Sequence, residues 1–143
     1  MIIKSLGQTD SKIIADFFLK NFSDGWTESM ILSAFNTRDF FAVGVFSDTA
    51  MIGVITYTLS MDTADIEDVV VDSAHRRKGI AKTLLSQVEE KIKKSNITKI
   101  FLEVRASNIP AIGLYEKSGY KRLSVRKKYY ADGEDAVVMV KEL

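Results

Sequence analysis

The spacing of hydrophobic positions changes several times along the chain, and each change predicts a new element of secondary structure. Alternation over residues 2–6 indicates a short strand. After Asp10, hydrophobic residues recur at the spacing of one helix face and predict a first helix. Thr27 is the predicted N-cap of a second, shorter helix. The apolar positions of the first helix are Ile13, Ile14, Phe17 and Phe18, and those of the second are Met30, Ile31 and Ala34, with Gly25 and Trp26 in the loop before it.

The middle of the chain predicts three consecutive strands. Residues 40–46 and 51–60 are rich in Val, Ile, Thr, Tyr and Phe, and the turn residues 47–49 separate them, so they predict a β-hairpin. A third strand is predicted over 66–72. Its run of three valines, 69–71, does not alternate, which is typical of a central strand covered on both faces.

The second half of the chain alternates helices with strands. A stripe made of Ile80, Leu84, Leu85, Val88 and Ile92 predicts a long helix that ends near Ser95 and Asn96. A strand over 99–104, a helix from Asn108 to Gly119, a strand from Tyr120 onward and a last strand over 136–140 follow. The strands on either side of the long helix form a crossover, so we expect them to be parallel. These elements predict one mixed α/β domain over residues 1–143.

Composition narrows the chemistry that this domain can perform. The sequence is 46% hydrophobic and 27% charged, as in ordered globular proteins. The absence of cysteine excludes disulfides and thiolate chemistry, and the single histidine, His75, excludes a multi-histidine zinc site, so we expect no metal. A net charge of +1 gives no general attraction to nucleic acid. No apolar run reaches signal-peptide or membrane-spanning length, so we expect no membrane partner and a cytoplasmic location.

The segment Arg76-Arg77-Lys78-Gly79-Ile80-Ala81 carries the first candidate chemistry. It lies between a buried strand and the start of the long helix, where unpaired N–H groups and the helix dipole favour an anion. Gly79 lets a phosphate approach the backbone, and Arg76, Arg77, Lys78 and Lys82 add positive charge. The alternative is a solvated basic loop before an ordinary helix. The segment matches neither the Walker nor the Rossmann phosphate-binding pattern.

Several motifs resemble the GNAT superfamily of acetyl-CoA-dependent N-acetyltransferases. The segment 76–81 matches the pyrophosphate-binding signature Gln/Arg-x-x-Gly-x-Gly/Ala of that superfamily. A second block is similar to the ribosomal-protein-alanine N-acetyltransferases in particular: Leu102-Glu103-Val104-Arg105-Ala106-Ser107-Asn108, Ala111 to Glu116, Gly119-Tyr120, Arg126 to Tyr130 and Glu134 to Ala136. The likeness covers nearly the whole chain and is strongest after Val69.

This resemblance implies a fold, an activity and partners. The implied fold is a mixed, mostly antiparallel sheet with a parallel strand pair at its centre and helices on both faces. The implied activity is acetyl transfer from acetyl-CoA, as cosubstrate, to the N-terminal amine of a protein, with an alanine-first ribosomal protein as the expected acceptor. We expect a monomer or a weak homodimer, without direct contact to nucleic acid.

The resemblance also implies the residues that bind acetyl-CoA. Backbone groups of Val69, Val70 and Val71 would align the pantetheine and acetyl group like an added strand, with an N–H near Val71 as the oxyanion donor. The loop and first helical turn would take the pyrophosphate, through Arg76, Arg77, Lys78, Gly79, Ile80, Ala81 and Lys82. Asn108 would bind the pantetheine, although it would serve equally well as a helix cap.

Two residues match the catalytic positions of the family. Glu103 is predicted as the base that removes a proton from the amine through a water, with Glu67 as the alternate base. Tyr115 is predicted as the acid that protonates the CoA thiolate, although its position also suits a core residue. Tyr57, Tyr129, Tyr130 and Trp26 could line a peptide channel or serve packing. His75 is expected to have no role.

Departures from the family pattern leave the acceptor open. Glu67-Asp68 stands where close relatives often have an uncharged residue and Asn, and Gly25-Trp26 replaces a frequent Pro-Trp. The acidic residues Asp62, Asp65, Glu67 and Asp68 favour, as an alternative, a small cationic amine as acceptor. A nonenzymatic nucleotide- or RNA-binding module is a further alternative, suggested by Arg122, Arg126, Lys127 and Lys128, although such residues at a strand end more often form a solvated edge.

Overall fold

The computed structural model describes residues 1–21 and 26–143, and its centre is a mixed seven-stranded sheet. The strands are β1 (Ile2–Leu6), β2 (Phe40–Ser47), β3 (Ala50–Ser60), β4 (Thr63–Val71), β5 (Lys99–Arg105), β6 (Lys121–Arg126) and β7 (Ala136–Glu142). The α-helices are α1 (Ser11–Asn21), α2 (Glu28–Thr37), α3 (Ile80–Lys93) and α4 (Ile109–Lys117), with short 3-10 turns at Gln8–Asp10 and Ser73–His75.

The order of the strands is β1-β2-β3-β4-β5-β7-β6. Every neighbouring pair is antiparallel except β4 and β5, which are parallel and aligned from Thr63 opposite Lys99 to Ile66 opposite Leu102. The predicted parallel pair is therefore confirmed, and it lies at the centre of the sheet. It places the start of α3 just beyond the carboxyl end of β4.

Some predicted boundaries were wrong by a few residues. β4 begins at Thr63 rather than Ile66, because Thr63 pairs both with Ser60 across the turn and with Lys99 of β5. It ends at Val71, one residue before the predicted end. α3 ends at Lys93 rather than near Ser95, whose N–H and hydroxyl both bond to the carbonyl of Ile92 and close the helix.

Two apolar clusters fill the two faces of the sheet. One lies under α3 and α4 and includes Leu84, Val88, Ile112 and Met139; the other lies under α1 and α2 and includes Ile14, Phe18 and Ile31. The prediction that helices cover both faces is thus confirmed. Two residues of the predicted apolar stripes face solvent instead: Ile13 is 49% exposed and Met30 is 53% exposed.

Local signals set the helix ends as predicted. The Thr27 hydroxyl accepts a hydrogen bond from the Met30 N–H at 3.2 Å, and Asn108 Oδ1 accepts one from the Ala111 N–H at 3.3 Å. Gly119, with φ of +98°, follows the end of α4. No helix in the described part of the chain is long and apolar enough to cross a membrane.

Candidate active site

The parallel strands β4 and β5 separate before either strand ends. Their pairing stops at Ile66 and Leu102, although β4 continues to Val71 and β5 to Arg105. Past that point β4 pairs only with β3, and β5 only with β7. The facing edges of both strands therefore have main-chain N–H and C=O groups without sheet partners, and an extended ligand could pair with them.

We call the space between the separating strands the splay cavity, with a volume of about 200 Å³. It is lined by Ile66, Glu67, Asp68, Val69, Val70, Leu102, Glu103, Val104, Arg105, Asn108, Ala111, Tyr115 and Tyr130. Both predicted catalytic residues, two of the three predicted valines and Asn108 are therefore in one cavity. β4 is the central strand, as predicted: Val70 is buried, and Val69 and Val71 are partly buried and pack against the cluster under α3 and α4.

A β-bulge in β4 gives the cavity its acidic wall. Thr56 of β3 pairs with Asp68, but the next residue, Tyr57, pairs with Ile66, so Glu67 is the extra residue. A bulge changes the direction of the side chains around it. Both Glu67 and Asp68 consequently line the splay cavity, although neighbouring residues of a regular strand would point to opposite faces.

The basic groove is the space between the loop after β4 and the start of α4, with a volume of about 250 Å³. It is lined by Val71, His75, Arg76, Arg77, Gly79, Ile80, Ala81, Lys82, Pro110 and Leu114. Arg77 and Gly79 both have positive φ, +62° and +77°. Such a turn brings successive N–H groups to one concave side, and α3 begins directly after it. The residues present therefore fit a phosphate.

Gly79 suits this turn by its backbone angle and by its lack of a side chain. A Cβ added at Gly79 would meet no protein atom within 4 Å, so it would project into the open space through which a phosphate could approach the main chain. With φ of +77°, any other residue would also be strained. The open volume above Gly79 remains available to a ligand.

The other predicted loop residues differ in what they offer to an anion. The Ile80 side chain is buried in the core, so only its main chain can contribute. Arg76 Nε donates to the carbonyl of Val71 at 3.2 Å, which ties this arginine to the end of β4. Lys78 is exposed and does not line the groove, whereas Lys82 does.

His75, which we expected to have no role, lines the basic groove. Its Nδ1 lies 3.0 Å from Asp72 Oδ2, and this hydrogen bond is the main cause of the lowered pKa of Asp72. The spacing of three residues between the two side chains was the only available signal in the sequence. A 3-10 turn at Ser73–His75 brings them together.

The acidic groove adjoins the splay cavity on its other side, with a volume of about 360 Å³. It is lined by Thr58, Asp65, Ile66, Glu67, Leu102, Glu103, Tyr129 and Tyr130. Three carboxylates and two tyrosines thus face one space. Glu67, Glu103 and Tyr130 line both the groove and the cavity, so these residues form the boundary between them.

Glu103 is held between Arg126, the last residue of β6, and Tyr129 of the segment that follows. Its Oε2 atom is shielded from solvent and lies 3.3 Å from Arg126 Nε, an ion pair without aligned hydrogen-bond geometry. Burial is the main cause that raises the pKa of Tyr129, and the charge of Glu103 and its hydrogen bond to Tyr129 raise it further. Arg126 and Tyr129 therefore hold the Glu103 carboxylate at the edge of the cavity, with one of its oxygens shielded from solvent.

Burial raises the pKa of the other carboxyl groups around the site. For Glu67 the charge of Arg38, 3.6 Å away, and a 3.3 Å hydrogen bond from Thr58 oppose the rise. For Asp65 the charge of Arg126 opposes it. Asp68 is the most affected, because burial and then the charge of Glu67 raise its pKa to about 6, against a hydrogen bond from Thr56.

Tyr115 is both a core residue and a cavity residue, so both interpretations of its sequence position hold. Its ring packs edge-to-face on Tyr120 at 6.0 Å between centroids. Burial, then the charge of Asp68, raises its pKa to about 12. The hydroxyl therefore stays protonated at neutral pH and can act only as a proton donor there.

The remaining aromatic candidates divide between the site and the core. Tyr129 and Tyr130 line the acidic groove. Tyr57 does not, because it is buried and stacks on Phe41 at 5.3 Å, and Trp26 stacks on Phe40 at 5.6 Å beside α2. Gly25, which we had placed beside Trp26 in the loop, lies outside the described residues.

The charged clusters noted in the sequence are also divided. Asp65, Glu67 and Asp68 line the site, whereas Asp62 is exposed at the turn before β4. In the basic stretch near β6, three ion pairs are formed: Arg122–Glu116 at 3.6 Å, Arg126–Glu103 at 3.3 Å and Lys127–Asp135 at 3.3 Å.

Within residues 1–21 and 26–143, no group of three or more His, Asp or Glu side chains could hold a metal ion.

Curated relatives match this chain over part of its length. An N-alpha-acetyltransferase from Saccharolobus solfataricus is 49% identical over 79 residues, which cover 54% of this chain and 47% of that protein. The [ribosomal protein bS18]-alanine N-acetyltransferase of Escherichia coli strain K12 is 38% identical over 82 residues, 55% of each chain. The chain thus spans about half the length of these relatives.

The whole fold also matches a solved structure. The crystal structure of the ribosomal-protein-S18-alanine N-acetyltransferase from Escherichia coli has a TM-score of 0.90 and 28% sequence identity, covering 99% of this chain and 92% of that chain. The model of the acetyltransferase (GNAT) family matches residues 11–120, which include the basic groove and most of the splay cavity. The resemblance seen in the sequence is therefore confirmed, and this chain belongs to the GNAT family of acetyltransferases.

Proposed function

We propose that this protein transfers the acetyl group of acetyl-CoA to the N-terminal amine of a protein, and that the acceptor is a ribosomal protein beginning with alanine. The names of the relatives in Saccharolobus solfataricus and Escherichia coli support this reaction class, and the Escherichia coli protein supports the acceptor. Because such an acceptor is made on ribosomes, we place the reaction in the cytoplasm. The groups proposed for the reaction all come from one chain, so the proposal is compatible with a monomer or a weak homodimer.

The basic groove and splay cavity together suit acetyl-CoA. The turn at Arg77 and Gly79 and the first N–H groups of α3 would hold the diphosphate, with Lys82 adding charge. The pantetheine would then follow the free edge of β4 past Val71, Val70 and Val69 as an added strand. This route leads the thioester into the splay cavity, between Tyr115 and the boundary with the acidic groove.

The acidic groove suits the incoming amine. An N-terminal amine enters as an ammonium ion, which carboxylates attract, and the nearby Tyr129 and Tyr130 offer hydroxyls and ring faces to a peptide. An α-amino group has a pKa of about 7.7–8.0, against about 10.4 for a lysine side chain. Losing the proton at neutral pH is therefore much easier for an N-terminal amine.

The chemical step divides between Glu103 and Tyr115. Glu103 takes one proton from the ammonium through a water, and the free nitrogen attacks the thioester carbonyl carbon. The N–C bond forms, a main-chain N–H at the free edge of β4 in the splay cavity stabilises the negative oxygen, and the C–S bond breaks. The expected donor near Val71 would lie too far along β4 for this role, because Val71 lines the basic groove. Tyr115 gives its proton to the thiolate, and the second proton of the nitrogen restores Tyr115. The products are the acetylated amine, the CoA thiol and one released proton.

One observation carries this proposal: Glu103 and Tyr115 line the same cavity, at the point where β4 and β5 separate. The test is acetyl transfer from acetyl-CoA to a library of peptides varied at the first residues, followed by mass spectrometry. We expect N-terminal acetylation with a preference for alanine at the first position. A protein that binds CoA but acetylates no peptide would contradict the peptide acceptor.

The acidic groove supports a second candidate acceptor, a small cationic amine. Asp65, Glu67 and Glu103 all face the groove, and a polyamine could satisfy more than one of them. Assaying polyamines beside alanine-initiated peptides separates the two candidates, through the ratio of their kcat/KM values. If CoA did not raise the melting temperature and RNA raised it in a salt-dependent manner, the nonenzymatic RNA-binding alternative would replace both.

A further inference from the structure

One arginine holds the segment between β6 and β7, residues 127–135, which we call the tyrosine loop. Arg105, the last residue of β5, places Nη1 2.8 Å from Asp132 Oδ2 and 3.0 Å from Glu134 Oε1. Its side chain is 28% exposed. Hydrogen bonds between ionised groups are about twice as strong as neutral ones, so these contacts hold the loop against the end of β5.

The loop is also bonded to the chain that leads from β5 to α4. Glu134 Oε2 accepts from the Ser107 N–H at 2.8 Å, and the Asp135 carbonyl accepts from the Ala106 N–H at 3.0 Å. A hydrogen bond with the Ser107 side chain is the main cause that lowers the pKa of Glu134, and the bonds from Arg105 and from the Ser107 N–H lower it further. Asn108, which lines the splay cavity, follows directly. The loop and the start of α4 therefore form one connected unit.

The same arginine contacts the aromatic residue at the boundary of the site. The Arg105 guanidinium carbon lies 4.1 Å from the ring centroid of Tyr130, a close cation–π contact. Tyr130 lines both the splay cavity and the acidic groove. Its main chain is fixed as well, because its N–H donates to the Glu134 carbonyl at 3.1 Å and its carbonyl accepts from the Gly133 N–H at 2.8 Å.

We propose that Arg105 is a positioning residue for the acceptor, acting through Tyr130. This inference rests on the proposed function, in which the acceptor enters through the acidic groove. Arg105 contributes to the wall of the splay cavity, but two carboxylates and a ring face occupy its guanidinium. Its effect on the reaction therefore passes through the tyrosine ring, whose place at the boundary decides how an acceptor amine reaches the thioester.

The first test compares substitutions of Arg105 in steady-state kinetics and CoA binding. We expect Arg105→Met to raise the KM for an alanine-initiated peptide about tenfold or more, while the Kd for CoA by calorimetry changes less than twofold. Arg105→Lys keeps the charge but loses the planar guanidinium, so we expect its peptide KM to lie between those of the wild type and Arg105→Met. Arg122→Met, which breaks an exposed ion pair with Glu116, is the matched control and should leave both constants unchanged.

A second test asks whether the effect passes through Tyr130. In a Tyr130→Ala background, Arg105→Met should add less than a twofold change in peptide KM, because the ring through which it acts is gone. Arg105→Lys keeps a cation at residue 105, and Glu134→Gln keeps the shape of the side chain but only one of its two oxygen acceptors. These two variants provide the same KM comparison if Arg105→Met does not fold.

Three results would overturn the inference: an unchanged peptide KM in the folded Arg105 variants, a parallel weakening of CoA binding, or full additivity with Tyr130→Ala. The wild-type measurement separates this inference from the function on which it rests. If the wild type acetylates no peptide, both fall. If it does and the Arg105 variants behave like Arg122→Met, only the positioning role falls.

Discussion

The basic groove and the acidic groove lie on opposite sides of one cavity, but they are built in different ways. Apart from Pro110 and Leu114, the basic groove comes from the single stretch 71–82. The acidic groove combines residues from β3, β4, β5 and the tyrosine loop, and Thr58 and Tyr130 are far apart in sequence. A ligand site made from one strand–loop–helix segment can be read from sequence, whereas one assembled from four segments exists only after folding.

The two grooves also differ in the groups that they offer to a charged ligand. In the basic groove, positive φ at Arg77 and Gly79 and the start of α3 offer main-chain N–H groups, with cationic side chains around them. In the acidic groove, side-chain carboxylates supply the charge, and burial raises the pKa of both Asp65 and Glu67. The first arrangement suits a fixed diphosphate, and the second suits a cation that must lose a proton.

Replacing Glu103 by Gln should have the largest effect. We expect kcat to fall about 10²- to 10⁴-fold at neutral pH, because the amide cannot accept the proton from the amine. The Kd for CoA should stay near the wild-type value, since Glu103 is not part of the basic groove. Steady-state kinetics over a range of pH check this, with Glu116→Gln, an exposed partner of Arg122, as control. An unaltered pH–rate profile would remove Glu103 as the base and leave Glu67.

Replacing Tyr115 by Phe should lower kcat about 10²-fold, at the low end for a general acid because a thiolate leaves readily. Tyr120→Phe is the matched control on the neighbouring ring. The Tyr120 hydroxyl donates to Glu89 at 2.9 Å in the core, so its loss should cost about 1–3 kcal/mol of stability and leave kcat unchanged. Steady-state kinetics and thermal melts of both variants test these expectations. If Tyr115→Phe and Tyr120→Phe had the same kcat, Tyr115 would serve packing alone.

Asp68→Asn should raise stability at alkaline pH and leave it unchanged in acid. The folded-state pKa of Asp68 is raised to about 6, above its unfolded value, so folding favours the protonated carboxyl. Wild-type stability is therefore lost as pH rises from about 4 to about 6, and the full penalty applies above that. We expect the variant to gain about 3 kcal/mol at pH 8, or roughly 10 °C in Tm, and less than about 1 kcal/mol at pH 4. A gain of equal size at both pH values would contradict this ionisation.

The glycine pair Gly79→Ala and Gly133→Ala should have the smallest effects, and they separate the two grooves. Both glycines have positive φ, and an added Cβ would meet no atom within 4 Å at either, so each variant carries the same backbone strain of about 1–2 kcal/mol. Gly79→Ala should weaken CoA binding about tenfold and leave the peptide KM unchanged. Gly133→Ala, in the tyrosine loop, should do the reverse. Calorimetry and kinetics of the pair test this, and identical profiles would mean that the grooves are not independent.

Most elements could be predicted because their signals are local. The alternation in β1, the apolar stripe of α3, the Thr27 and Asn108 caps and Gly119 all appear within a few residues of the feature they determine. The start of β4 was missed because a distant partner decided it: β4 begins early because Lys99 pairs with Thr63. The end of α3 was missed for a local reason, the two hydrogen bonds from Ser95 to the Ile92 carbonyl.

The candidate site follows the same division. Glu103, Tyr115 and the loop 76–82 were predicted from motifs, and the structure places both predicted catalytic residues in one cavity. No motif predicted that His75 lines the basic groove or that Arg105 contacts the ring of Tyr130. Tyr57 had the residue type expected of a site residue, but it is buried in the core.

The sequence by itself determined the element types, the parallel crossover and the basic turn that is the candidate phosphate site, because hydrophobic period, capping residues and glycine act within one or two turns of chain. Tertiary structure alone decided where β4 and β5 part, which carboxylates face the gap and which tyrosine stands at its edge. The physical reason is that both features depend on residues far away in the sequence. The bulge at Glu67 depends on how β4 pairs with β3, and the tyrosine loop is held by ion pairs to Arg105 of β5.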